Sequence, residues 1–273
     1  MMKKLLLPAI LWLIFETVAV TLWIAKQNMF YLFNFTYIGT SIAIGVLLFQ
    51  SQYRHARRAV QILVGSYMLV FLGLIGKENM QIEGFWYYLF RRTFEAATVH
   101  YAIAKIVGPL LFGRGWCGFA CWTAMLLDLL PYKVPQQPRK KWGWIRYITF
   151  ILSFVFVSAL FFVQAKNMER ILFRAFLIGN CLYYAVGAAL AFALKDNRAF
   201  CKYICPVTVF LKPMSYFSLL RIKCDKSKCT GCGRCKGICP MNVDMTDNSR
   251  KRKYATECIL CLECTKACPK NAL

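Results

Sequence analysis

Cys229-Thr-Gly-Cys232-Gly-Arg-Cys235-Lys-Gly-Ile-Cys239-Pro240 and Cys258-Ile-Leu-Cys261-Leu-Glu-Cys264-Thr-Lys-Ala-Cys268-Pro269 are two copies of one pattern, C-x2-C-x2-C-x3-C-P. Three thiolates at that spacing wrap one 4Fe-4S cubane corner by corner. The fourth, set further along and followed by proline, points at the neighbouring cluster. The pattern therefore assigns Cys229, Cys232, Cys235 and Cys268 to one cluster, and Cys258, Cys261, Cys264 and Cys239 to the other. Zinc is the competing reading, but structural zinc sites use two separated ligand pairs, and neither run contains a histidine. A segment of about 50 residues buries too little core to stand alone, so the clusters also supply folding energy there.

Ahead of Lys223 the chain changes character. Over all 273 residues 59% are hydrophobic and only 17% charged, too apolar for an ordinary soluble domain. The 35 Lys and Arg against 12 Asp and Glu give a formal charge of +23, gathered in short clusters between long apolar runs. That arrangement suits the positive-inside rule of membrane proteins, and no basic-aromatic module for nucleic acid is present. A helix needs about 20 residues to cross about 30 Å of hydrocarbon. Such stretches lie at 5–25, 29–50, 59–76, 96–113, 144–164 and 171–194. The fourth is the weakest, because it holds His100, Lys105 and Pro109, and an interfacial or re-entrant segment is the alternative reading. Six spans with both termini in the cytoplasm put the Arg54–Arg58, Arg114–Arg146 and Lys195–Arg198 clusters on one side, with the cysteine-rich tail.

A repeat sits inside this apolar half. Arg114-Gly-Trp-Cys117-Gly-Phe-Ala-Cys121 matches Arg198-Ala-Phe-Cys201-Lys-Tyr-Ile-Cys205 as R-x-aromatic-C-x-aromatic-x-C, each copy following a pair of apolar spans. Cysteines at i and i+4 on a helix share one side, so two facing pairs offer four sulfur ligands and a third iron-sulfur centre. Two disulfides, or thiols packed at helix ends, are the alternatives. Arg114 and Arg198 are candidates to neutralise such a centre, or serve only as topology determinants. Cys181 reads as a small buried apolar residue, and Cys224, ahead of the first tail run, stays open.

Only His55 and His100 exist, and the spans place them toward opposite faces, so a bis-His haem is not expected. There is no C-x-x-C-H, no G-x-G-x-x-G and no G-x4-G-K-S/T. What remains is one-electron chemistry beside a lipid phase, which suits a quinone, menaquinone or ubiquinone. Glu95, His100 and Lys105, ionisable groups on one apolar stretch, are the candidate quinone contacts.

With two membrane Cys-x3-Cys motifs followed by the tandem tail, the whole chain resembles the polyferredoxin-like NapH family of quinol dehydrogenase membrane components. It also resembles the membrane cores of the NosR maturation flavoproteins and of the CcoG oxidase accessory proteins. The family writes both membrane motifs as C-x3-C-P; Cys205 is followed by Pro206, whereas Cys121 is followed by Trp122. Where the chain begins and ends sets the expectation of the first group.

The resulting expectation is an all-α membrane domain of about six helices over residues 1–222, with a duplicated Cys-x3-Cys unit, and a two-cluster ferredoxin-like α+β domain over 223–273. It resides in a prokaryotic cytoplasmic membrane and passes electrons between the quinone pool and a partner reductase, dehydrogenase or hydrogenase. The alternatives are a copper-reducing assembly factor for an oxidase and a passive membrane anchor of a soluble complex.

Overall fold

Helices α1 (Met2–Lys26) and α2 (Met29–Gln50) are apolar on nearly every face and pack antiparallel through the turn at Asn28, whose side chain accepts from the Phe30 N–H at 2.9 Å. The computed structural model describes residues 2–51, 53–94 and 96–273. Helix α3 (Ala56–Ser66) runs on as a π-helix over Tyr67–Ile75, and α9 (Ile145–Phe162) and α10 (Met168–Leu194) complete the long elements. Among the described residues five helices are long and apolar enough to cross a membrane. Their outer faces carry Leu6, Leu13, Ile24, Ile151, Leu152 and Ile178, all exposed. An element apolar all round with an exposed apolar face is built for lipid.

The expected fourth span differs. The segment is short, Ala97–Phe112, about 24 Å at about 1.5 Å per residue and less than a bilayer core. It is assembled from α5 (Ala96–Tyr101), a π-helix (Ala102–Val107) and α6 (Gly108–Phe112). His100, Tyr101, Ala104 and Lys105 are buried in it. The ionisable groups that weakened it as a lipid-facing span thus face protein, where they cost less. Pro109 causes no break, because it stands in the first turn of α6, where no helical N–H is lost.

A second irregular element precedes α4. From Gly76 the chain turns inward through Asn79, Met80 and Gln81, all buried, and returns along α4 (Ile82–Phe90). Asn79 makes this backbone tolerable: its Nδ2 donates to the Leu172 carbonyl at 2.9 Å and its Oδ1 accepts from the Gln81 N–H at 2.9 Å. Non-helical backbone at this depth persists only where protein satisfies it.

Short helices close the end where α2 finishes, α3 begins and α10 finishes. These are α7 (Gly115–Phe119), α8 (Trp122–Leu127), α11 (Ala199–Tyr203) and α12 (Thr208–Tyr216). The tail docks there, and this is called the tail face; the turn at Asn28 and the start of α10 mark the far face. In the tail only α13 (Arg234–Gly237) and α14 (Glu263–Ala267) are helical, with a 3-10 turn at Ala255–Glu257. The α+β expectation is corrected: among the described residues there is no strand. Single bonds, Asp225 N–H to the Ala272 carbonyl at 2.7 Å and Asp244 N–H to the Lys253 carbonyl at 3.2 Å, stand where ladders would run.

Candidate metal centres and an adjoining cavity

Each tail run coils through left-handed residues that turn its sulfurs inward, Gly231 and Gly233 in the first, Leu260 and Leu262 in the second. Cys229, Cys232, Cys235 and Cys268 line one cavity, together with Cys224. Cys239, Cys258, Cys261 and Cys264 line another. The structure thus brings together the crossed sets that the spacing selects. Cys224 is buried and held at both backbone ends by Asn248, accepting at 2.7 Å and donating at 2.8 Å.

Cys117, Cys121, Cys201 and Cys205 line a third cavity with Lys105, Arg114 and Tyr101. All fourteen cysteines are free thiols. Cys181, expected to be buried, is exposed on α10. Among the described residues no three His, Cys, Asp or Glu side chains gather tightly enough for one metal ion. Four thiolates on one zinc, with Zn–S bonds of about 2.3 Å, would have to gather that tightly, whereas a cubane spreads its ligands over separate iron corners. The choice between the two rests on the ligand spacing, C-x2-C-x2-C-x3-C-P, which is that of a cubane. Burial pushes the thiols of Cys201 and Cys264 up to about 12 and that of Cys258 to about 11. Metal binding there must displace protons.

Two arginines cross between the membrane motifs. Arg198 Nη1 donates to the Cys117 carbonyl at 3.0 Å and Arg114 Nη2 to the Cys201 carbonyl at 3.4 Å, so each motif's arginine braces the other motif. Arg198 Nη2 also pairs with Asp128 at 2.6 Å, which Arg57 meets at 2.9 Å. Burial raises the Asp128 carboxyl, but these two guanidiniums outweigh it and hold the pKa below its ordinary value.

Arg114 ties the membrane half to the tail. It pairs with Glu257, immediately before Cys258, which also accepts from Arg146 at 3.0 Å and Arg139 at 3.1 Å. Burial would raise Glu257, yet Arg114, Arg146 and Arg139 press it down to about 2. Lys202, within the second motif and fully buried, donates to Asp196 at 2.6 Å and to Asn242 of the tail at 2.7 Å. Gly118 of the first motif lies against the Ile259 carbonyl, where a methyl group would overlap it. Cys117 accordingly joins the apolar cluster that holds Cys239, Ile259 and Cys264.

A cavity of about 390 Å³ opens on the other side of Trp116. Both π-helical segments wall it, through Met68, Phe71 and Leu72 and through Ile103 and Ala104. Exposed Phe30, Phe71 and Ile75 leave it open toward hydrocarbon. His100 Nε2, Trp116 Nε1 and Asn34 Oδ1 on its wall are buried with no hydrogen-bond partner among the described residues. The His100 and Trp116 rings meet edge to face at 5.3 Å. Lys105 lines the cysteine cavity, its Nζ 5.0 Å from the Trp116 ring centre. Glu95 lies outside the described residues. The π-helical bulges and the inward turn at Asn79 carry no period or motif that a sequence reading detects.

The tail, residues 228–273, matches a family model described as a 4Fe-4S dicluster domain. A second model, a 4Fe-4S binding domain, matches twice, at 101–145 and 182–224, each match containing one Cys-x3-Cys motif. MJ0749 of Methanocaldococcus jannaschii, described as uncharacterized, is 28% identical over 189 residues, 65% of this chain and 70% of its own. YccM of Escherichia coli K12, whose name assigns it provisionally to electron transport, is 22% identical over 198 residues, 64% of this chain and 54% of YccM. MauN of Paracoccus denitrificans, a methylamine utilization ferredoxin-type protein, is 27% identical over 157 residues, 51% of this chain and 55% of MauN. This chain thus spans about half the length of the last two. No solved structure matches it. With 4Fe-4S models on its tail and on both membrane motifs, and ferredoxin-type and electron-transport proteins among its relatives, the chain is similar to polyferredoxin-like proteins, which supports an iron-sulfur electron-transfer role.

Proposed function

We propose that this is the membrane electron-transfer subunit of a NapH-type system, carrying electrons between a quinone, menaquinone or ubiquinone, and a partner redox enzyme on the cytoplasmic side of a prokaryotic inner membrane. The observation that carries the reading is the cavity wall. Trp116 offers an N–H donor, Asn34 an acceptor and His100 an imidazole nitrogen able to serve as either, all three unsatisfied, in an apolar space open to hydrocarbon and of a size typical for ligands. The oxygens of a quinone accept from Trp116, and a quinol hydroxyl donates to Asn34 or to His100. Trp116 is also adjacent in sequence to Cys117, so the wall of this cavity continues into the cysteine cavity.

Within this reading Cys229, Cys232, Cys235 and Cys268 hold one 4Fe-4S cluster, and Cys239, Cys258, Cys261 and Cys264 the second. Cys117, Cys121, Cys201 and Cys205 hold a third iron-sulfur centre. Bound there, such clusters supply one-electron redox chemistry. The protein's own part is to exclude water, to set Lys105 and Arg114 against the negative charge of thiolate ligands, and to fix the spacing between sites. Glu257 and Gly118 press the second tail site onto the membrane motif, which keeps the transfer distance short.

The test uses the full chain purified without oxygen, reconstituted in liposomes and supplied with a menaquinol analogue and ferricyanide. Quinol-dependent ferricyanide reduction that is lost in Cys117→Ser and Cys205→Ser variants is expected. Full activity in both variants would show that electrons do not pass through a centre at these cysteines, and no activity in the unaltered chain would favour a passive anchor.

A further inference from the structure

The cavity has a direction that the electron path does not share. Its inner end is His100 and Trp116, next to Cys117. Its outer end is lined by Asn28, Glu78 and Tyr88. Asn28 caps the start of α2, and Phe49 near the other end of that helix meets Lys266 of the tail, the Nζ lying 5.1 Å from the ring centre. The two ends of α2 are about 33 Å apart, from its 22 residues at about 1.5 Å each. Glu78 and Tyr88 are half-buried, and the Tyr88 hydroxyl donates to Glu78 Oε2 at 2.7 Å. Toward the tail, by contrast, the space beyond Trp116 is filled by the cysteine cavity, whose charged residues are the cations Lys105 and Arg114. Arg114 there is already paired with Glu257 and the lining offers no carboxylate, whereas Glu78, with a phenol hydrogen-bonded to it, accepts a proton and passes it on.

We infer that, resting on the quinol reading above, Glu78 and Tyr88 form the proton outlet of the cavity and that protons and electrons leave by opposite faces. Each quinol gives up two O–H hydrogens and becomes the quinone. Its two electrons pass toward the tail and reduce two equivalents of a one-electron acceptor there. Its two protons pass by way of the Glu78–Tyr88 pair to water at the far face. Turnover therefore separates charge across the membrane, and the reverse reaction takes up protons from the far face.

The test uses the full chain in liposomes, with tail orientation scored by trypsin release, valinomycin and potassium to collapse the potential, and pyranine sealed inside. Duroquinol is the donor, and ferricyanide, which does not cross the membrane, is the external acceptor, so only outward-facing tails turn over. Acidification of the lumen by about two protons per quinol consumed is the expected result. Glu78→Gln and Tyr88→Phe should slow turnover several-fold, with a raised solvent isotope effect and unchanged apparent affinity for duroquinol, and Glu78→Asp should restore part of the rate. Release of the protons on the ferricyanide side, or unchanged rate and isotope effect in both variants, would overturn this inference while leaving quinol oxidation standing. Absence of ferricyanide reduction in the unaltered protein would overturn the quinol reading and this inference with it.

Discussion

Arg198 reaches out of its own cysteine motif to donate to the carbonyl of Cys117 at 3.0 Å, and its second nitrogen pairs with Asp128 at 2.6 Å. Both ends of that bridge are almost wholly buried. Deleting one partner of a buried ion pair leaves a desolvated charge and costs about 3–5 kcal/mol. Arg198→Gln should therefore lower thermal stability by that order, only partly relieved because Arg57 still faces Asp128. The diagnostic readout is cluster content: the two tail clusters persist by low-temperature electron paramagnetic resonance, and the membrane centre is lost. Loss of all three signals together would show that Arg198 acts on folding alone.

Metal content separates the ligand sets. Anaerobically purified protein should hold about twelve irons and as many acid-labile sulfides per chain, at four per cubane. Cys117→Ser or Cys205→Ser should reduce this to about eight. About eight irons in the unaltered chain would remove the membrane centre from the scheme and leave the tail intact.

Gly118 tests the join between membrane motif and tail. Because a methyl there would overlap the Ile259 carbonyl, Gly118→Ala must push the second tail loop away by a fraction of an ångström or more. Iron content should stay unchanged while electron flow from quinol to ferricyanide slows. Wild-type turnover in Gly118→Ala would mean that this contact does not set the transfer distance.

The cysteine sets were legible from spacing, since crossed 3+1 ligation is written into C-x2-C-x2-C-x3-C-P, and Cys268 does line a cavity with the first run and Cys239 with the second. Five of the six apolar stretches reappear as long helices because length and apolarity are local properties. The stretch around His100 stands out in the sequence as the weakest span through its ionisable groups, but how it is buried depends on what packs against it, here α4, which no local pattern records. Arg114 and Arg198 were noticed only as charges near cysteines; that each braces the opposite motif is a tertiary fact with no sequence period. Glu257, an unremarkable acid between two cysteine runs, gave no signal, although it gathers three arginines.

Glu257 gives a pH prediction. Its folded pKa, about 2, lies below the unfolded value near 4.3, so its contribution to docking is complete above about pH 4.3 and is lost only as pH falls toward 2. Protease release of the tail should accordingly be flat between pH 5 and 9 as far as this group is concerned. Glu257→Gln removes the charge and leaves Arg114 and Arg146 buried without a counter-charge, so tail release should rise at every pH in that range. A Glu257→Gln protein with wild-type protease resistance would show that Lys202–Asn242 and the apolar cluster around Cys239 are sufficient to hold the tail.

His100 offers the sharpest test of the cavity. It is buried, and its Nε2 has no partner among the described residues, so the orphaned atom costs about 1–3 kcal/mol until a ligand satisfies it. His100→Phe removes that atom and keeps an aromatic ring edge-on to Trp116, so thermal stability should hold or rise. Quinol turnover should fall at least tenfold, and a quinone-site inhibitor should no longer raise the melting temperature. If instead the variant unfolds and turnover per folded molecule is unchanged, His100 is a core residue and the ligand lies elsewhere in the membrane half.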